Sequence, residues 1–171
     1  MEAGIVSSWR RFFHAPAHHP PGLASAAIHH CNPSRDFGSW SRCRERGQYH
    51  LGRARRAKDH GRYGVAIREI ERALRYDDTS EAFYQVLAQC YLKRPGSDLE
   101  AARRALVRAF EINPRNSYTI EMLSNVCLQA RGPASAAAVV ESAMAAGAPH
   151  GYWAAVLQRL AGSQDGIASV A

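Results

Sequence analysis

Small and large apolar side chains recur at helical spacing along the middle of the chain, and the pattern repeats. Gly61, Tyr63, Ala66, Ile70 and Ala73 in one stretch correspond to Leu99, Ala102, Leu106 and Ala109 in a second, and to Ala136, Val140 and Ala143 in a third. Between them lie Tyr84, Leu87, Ala88 and Tyr91, which correspond to Ile120, Leu123, Ser124 and Cys127. Residues three and four apart share one helix face, so each set predicts an amphipathic helix and their alternation predicts a chain of helix pairs. Ala102 to Ala136 is 34 residues, whereas Ala66 to Ala102 and Tyr84 to Ile120 are each 36. The two extra residues therefore fall inside the second unit. The turn Arg94-Pro95-Gly96-Ser97-Asp98 is the natural place for them, because Pro-Gly is a turn signal in its own right.

This arrangement resembles the tetratricopeptide family. Its consensus has a large residue, then Leu, Gly or Ala, and Tyr on a first helix, and Ala, a large residue and Ala on a second, with Pro closing a 34-residue unit. The segment from Tyr84 to Pro114 matches at nearly every one of these positions. An Ala at a helix crossing lets two backbones approach, and the larger residue three or four positions away fills the space beside it. No unit buries its face alone, so about three are needed, with a polar-backed helix covering the last. Trp153, Val156, Leu157 and Leu160 form one apolar stripe with Gln158 and Arg159 off it, as a capping helix requires.

The resemblance thus implies an all-α, right-handed superhelix of about three units, over residues 48–79, 80–115 and 116–148, with a cap over 150–162. The first unit departs from the family. Its leading helix, about Tyr49 to His60, carries His50, Arg53, Ala54 and Ala57 where large apolar residues and Gly are the rule, which predicts an irregular helix. It also closes with Asp77-Asp78 instead of Pro.

In this family the first helix of each unit lines a concave surface that receives an extended peptide or a partner's helix. Carried over by register, the groove positions are Leu51, Arg55, Lys58 and Asp59, then Ala82, Gln85, Gln89 and Lys93, then Tyr118, Glu121, Asn125 and Gln129. Gln85 and Gln89, like Asn125 and Gln129, lie one turn apart, and a side-chain amide both donates and accepts. They are candidates for pairing with the backbone of an extended chain, similar to the amide ladders of some tetratricopeptide proteins. The two-carboxylate clamp, by which other members hold the acidic C-terminus of heat-shock chaperones, would need Lys, Asn, Asn, Lys and Arg. Here those positions are Leu51, Arg55, Val86, Tyr118 and Met122, and that role is rejected.

Composition changes the picture at the ends of the chain. The 171 residues are 46% hydrophobic, the share of an ordinary globular protein, which excludes wholesale disorder. Residues 1–50 carry six basic and three acidic side chains and six of the eight His. With Pro16, Pro20, Pro21 and Pro33 and no sustained apolar period, residues 1–47 read as a flexible basic tail. Only Ile5, Val6, Trp9, Phe12 and Phe13 approximate a short amphipathic helix, and the acid-poor, Arg- and Ser-containing segment also resembles an organelle transit peptide. Residues 163–171 read as a second tail. No run approaches the roughly 18 apolar residues of a membrane span. Four Cys at irregular spacing suit a reducing compartment, so a soluble, cytoplasmic protein is expected.

Residues that carry chemistry are scarce. His18, His19, His29, His30, Cys31 and Cys43 are potential zinc ligands, but their spacing matches no compact zinc module, and no metal or other cofactor is expected. Cys90 and Cys127 fall at core positions, where free Cys acts as a small hydrophobe. There is no Gly-rich phosphate loop, nucleophile elbow or catalytic carboxylate pair, so no enzyme is expected. The basic side chains of the first unit are interspersed with Asp59, Glu69, Glu71, Asp77 and Asp78 and lack interleaved aromatics, which weighs against nucleic acid. The expected function is protein binding. The protein would be an adaptor holding a partner's extended or helical segment, one with an acidic part facing the first unit, or alternatively a small export or assembly chaperone.

Overall fold

A computed structural model describes residues 37–168, with side chains from Ser41 to Ala161. The Ile5–Phe13 stretch, His18, His19, His29, His30, Cys31 and residues 169–171 lie outside the described part. Within it there are seven helices and no strand: α1 (Phe37–Asp59), α2 (Tyr63–Leu74), α3 (Glu81–Lys93), α4 (Leu99–Ile112), α5 (Ser117–Arg131), α6 (Pro133–Ala145) and α7 (His150–Ala168). Each helix packs chiefly on its neighbours in sequence, so α1/α2, α3/α4 and α5/α6 are three stacked hairpins and α7 closes the stack.

The alanines of the repeat sit where the helices cross. Ala66, Ala73, Ala102, Ala109, Ala136 and Ala143 on the second helices, and Ala54 and Ala88 on the first, are fully buried. Around them Ile70, Phe83, Leu106, Ile120, Leu123, Val139 and Val140 fill one continuous core, because stacking gives each hairpin the apolar surface it lacks alone. Trp153 and Leu160 of α7 extend this core over the last hairpin, with Val156 and Leu157 partly buried against it, the stripe expected of a cap.

The turns follow local chemistry. Gly61 ends α1 at φ +70, and the amide of Arg62 reaches back to the Ala57 carbonyl at 2.8 Å, the six-to-one bond of a left-handed helix stop. The longer turn of the second unit spans 94–98 between α3 and α4, where the two extra residues were expected, and Asp98 Oδ1 caps α4 by accepting from the Ala101 amide at 2.8 Å. Asn116 caps α5 in the same way, and Pro133 opens α6 at a position where a missing amide costs nothing.

The first unit differs from expectation. α1 is a regular helix that begins at Phe37, inside the segment read as a tail, and α7 runs to Ala168, past the expected end at 162. Arg, Glu and Gln are good helix formers and no Pro lies between Pro33 and Asp59, so α1 can extend with few apolar anchors. Gly47 supplies one of them: it is buried, and a Cβ there would lie 3.2 Å from the Phe83 ring.

Candidate functional site

The first helices α1, α3 and α5 lie side by side and are tied together by polar side chains. Lys58 Nζ donates to Gln89 Oε1 at 2.7 Å, and Gln89 Nε2 donates to the Tyr118 hydroxyl. One residue from each unit thus forms a diagonal polar line across three helices. Beside it, Gln85 Nε2 donates to Thr119 Oγ1 at 2.9 Å, and Asn116 Nδ2 donates to Glu81 Oε1 at 2.6 Å.

The candidate groove residues divide into three groups. Arg55, Lys93, Tyr118, Glu121, Asn125 and Gln129 are exposed, Tyr118 at 47%. Gln85 and Gln89 are half-buried, and the Lys58 side chain is 19% exposed with Asp59 3.9 Å away. Leu51, taken as a groove position, is instead part of the core at 3% exposure, because an isobutyl group at the floor of the groove gains more from the core than from water. Ala82 is half-buried against the core.

The amides are therefore not an empty ladder. One of the two Gln85 amide protons goes to Thr119, and Gln89 uses one proton and one acceptor lone pair, leaving each with further capacity. Thr119 escapes a helix-by-helix reading: it is wholly buried, and only its register opposite Gln85 on the neighbouring helix reveals it. Leu128, 39% exposed, adds an apolar side chain between Asn125 and Gln129 in sequence.

Beneath the basic part of this surface lies Cys90, wholly buried. Burial pushes its thiol up to about 11, although Lys58 and Lys93 pull the other way. Burial likewise raises the Cys127 thiol. Both are free thiols kept protonated in the core, the role expected for them. Among the described residues no three His, Cys, Asp or Glu side chains gather as metal ligands, and no helix is long and apolar enough to cross a membrane.

No family model matches the sequence, and no curated protein matches it either. Solved structures do match in fold. The first TPR of Spaghetti (RPAP3), bound to the HSP90 peptide SRMEEVD, superposes with a TM-score of 0.59 at 11% identity, over 71% of this chain and 95% of that one. The fold is of the tetratricopeptide repeat type. The type III secretion chaperone SycD of Yersinia enterocolitica, in complex with a peptide of the translocator YopD, superposes with a TM-score of 0.54 at 14% identity, over 70% of this chain and 90% of that one. Such low identity speaks for the fold alone. The tetratricopeptide architecture read from the sequence, an all-α right-handed superhelix, stands. Both neighbours carry a partner's peptide.

Proposed function

We propose that the protein is a non-enzymatic adaptor that binds an extended or helical segment of another protein on the face formed by α1, α3 and α5. The observation that carries the reading is the polar line from Lys58 through Gln89 to Tyr118, which presents donors and acceptors from three successive units on one surface. Arg55, Lys58, Gln85, Gln89, Lys93, Tyr118, Glu121, Asn125 and Gln129 form the contact surface. The part formed by α1 and the end of α3 carries Arg55, Lys58 and Lys93 beside Asp59 and suits an acidic stretch of the partner. The α5 end, with Tyr118 and Leu128 exposed, suits an apolar one. Leu51 and Val86, both buried, occupy two of the five clamp positions, which leaves Arg55 as the one basic side chain at a clamp position.

The test is recovery of partners from the native host by the full chain and by a Gln89→Ala, Asn125→Ala double variant of unchanged helicity. The specific partner should be lost from the variant, and recovery of the same partner in equal amount refutes the groove. The likeness to a secretion chaperone holding a translocator peptide supports a second reading, a small export or assembly chaperone. Under that reading, co-expression keeps one or two aggregation-prone clients soluble, whereas an adaptor recovers folded or short partners.

A further inference from the structure

The net charge of the whole chain is +7, and residues 42–75 alone hold eleven Arg and Lys against four Asp and Glu, also +7. The excess is thus the property of one hairpin, α1/α2, and its placement is specific. Arg46, Tyr49, Arg53 and Arg56 of α1 and His60 just past its end recur at three- and four-residue steps and share one face, distinct from both the core face of Leu51 and Ala54 and the groove face of Arg55 and Asp59. Arg68 and Arg72 of α2 and Arg75 at its C-cap form a matching exposed row.

Glu69 joins the two rows. Its carboxylate is only 4% exposed; Oε2 faces His50 Nδ1 at 2.9 Å and Arg53 Nε at 3.5 Å, while Oε1 accepts from Arg72 Nη1 at 2.8 Å. Desolvation alone would raise this carboxyl, but the His50 hydrogen bond and the charges of Arg53 and Arg72 outweigh it and hold the pKa below the ordinary glutamate value. The acid that breaks up the basic run in the sequence is therefore buried beneath the arginines and fixes them in place. Asp59 belongs to the groove side, and Glu71, half-buried, lies one turn from both Arg68 and Arg75 and offsets part of that row's charge. Glu45 and, in the loop after α2, Asp78 remain exposed at one end, with Asp77 half-buried there.

Aromatic rings lie among these cations. Tyr49 is 60% exposed with the Arg53 guanidinium 5.9 Å from its ring centre. Arg46 lies 5.9 Å over Tyr76, which stacks on His50 at 5.7 Å and an interplanar angle of 6°. Guanidinium forks suit phosphate oxygens in pairs and lie flat on rings and bases, and an exposed Tyr flanked by Arg is a stacking platform. The α1 row from Arg46 to His60 extends about 21 Å at 1.5 Å per residue, room for several nucleotides. A lipid surface would call for apolar side chains to enter it, and Tyr49 is the only large one in the α1 row.

We infer that the outer face of the α1/α2 hairpin is a second binding site, separate from the groove, that takes a single-stranded nucleic acid along its phosphates with a base stacked on Tyr49. The reading goes beyond peptide binding and does not depend on it.

The test measures fluorescence anisotropy of a labelled 20-mer of uridine with the full chain at about 50 mM salt, where phosphate contacts are strong. The wild type should bind, with affinity falling steeply with salt. The variant Arg56→Gln, Arg68→Gln, Arg75→Gln removes three exposed cations and should weaken binding at least ten-fold and flatten the log–log salt slope by about 2, at roughly 0.7 per contact on a single strand. Tyr49→Ala should weaken binding by about 5-fold or more without changing the slope. Arg104→Gln with Arg159→Gln, which removes exposed cations elsewhere, should leave binding intact. Absence of binding at 50 mM salt, equal loss in that control, or equal or tighter binding of poly-glutamate or phosphatidylserine vesicles overturns the assignment. Equal recovery of the partner by the Gln89→Ala, Asn125→Ala variant, with intact 20-mer binding, would overturn the groove alone.

Discussion

Trp153 is the side chain on which the capping helix depends, and its removal distinguishes a cap from an integral layer. It is 2% exposed at the face that α7 lays on α6, with the exposed Tyr152 ring against it edge-on at 4.8 Å. Truncating a fully buried Trp to Ala costs about 3–5 kcal/mol through lost transfer energy and the cavity left behind. Among its described side chains α7 has one other buried anchor, Leu160, with Val156 and Leu157 only partly covered, and it packs chiefly on α6. In a stack where each unit touches only its neighbours, such a loss is local. Trp153→Ala should therefore release α7 while α1 to α5 stay folded. Hydrogen exchange followed by mass spectrometry should show protection lost across 150–161 and reduced in α6, with the earlier helices unchanged. Leu123→Ala is the contrast: wholly buried in the central layers, it should cost about 2–5 kcal/mol and lower the denaturation midpoint of the stack as a whole. If Trp153→Ala lowers the global midpoint as far as Leu123→Ala while α7 amides exchange in step with the rest, the capping argument is wrong.

Two further outcomes follow from buried titratable groups. The Glu69 carboxyl has a folded pKa below its unfolded value, so the stability it contributes is present above the ordinary value of about 4.3 and is lost as pH falls through the lowered one. Glu69→Gln should be less stable than wild type at pH 7 by about 1–2 kcal/mol, the low side for charged hydrogen bonds because Arg53 and Arg72 are about half exposed. Thermal melts from pH 7 to pH 3 should show the gap closing in acid, and a gap independent of pH would contradict the charge argument. With its thiol pushed up to about 11, Cys90 holds at pH 8 about 200-fold less thiolate than a free cysteine. Site-resolved iodoacetamide labelling of the native protein should leave Cys90 unmodified until the stack is unfolded, and modification at a free-thiol rate would refute its burial.

The repeat was legible because the feature that sets it, a small residue at the crossings, must be written in the sequence: Ala66, Ala102 and Ala136 lie at zero exposure, where a large side chain would hold the helices apart. The 94–98 turn was legible for a similar reason, since Pro-Gly has few alternatives. The start of α1 was not. The first turns of α1 have no apolar period, and the Phe83 ring that Gly47 meets lies in another unit. Leu51 was misplaced because register alone puts it in the groove, whereas its exposure depends on how closely α3 approaches. The amides were found as residues, but not their bonds to Lys58, Thr119 and Tyr118, which run between helices.

The same limitation explains why the basic run misleads when read in one dimension. Asp59, Glu69 and Glu71 alternate with arginines along the chain and look like the neutralising charges of an ordinary solvated helix. Folding takes two of them off the outer face, Asp59 toward Lys58 and Glu69 under Arg53 and Arg72, and leaves Glu71 half-buried one turn from Arg68 and Arg75. What remains outside is mostly basic. The face of α1 turned away from both core and groove is given to arginine and tyrosine. A polar face needs only mixed charge to stay in water. An arginine row held in place by a buried carboxylate is more than that requires, which favours a binding surface on the outer face of the first hairpin.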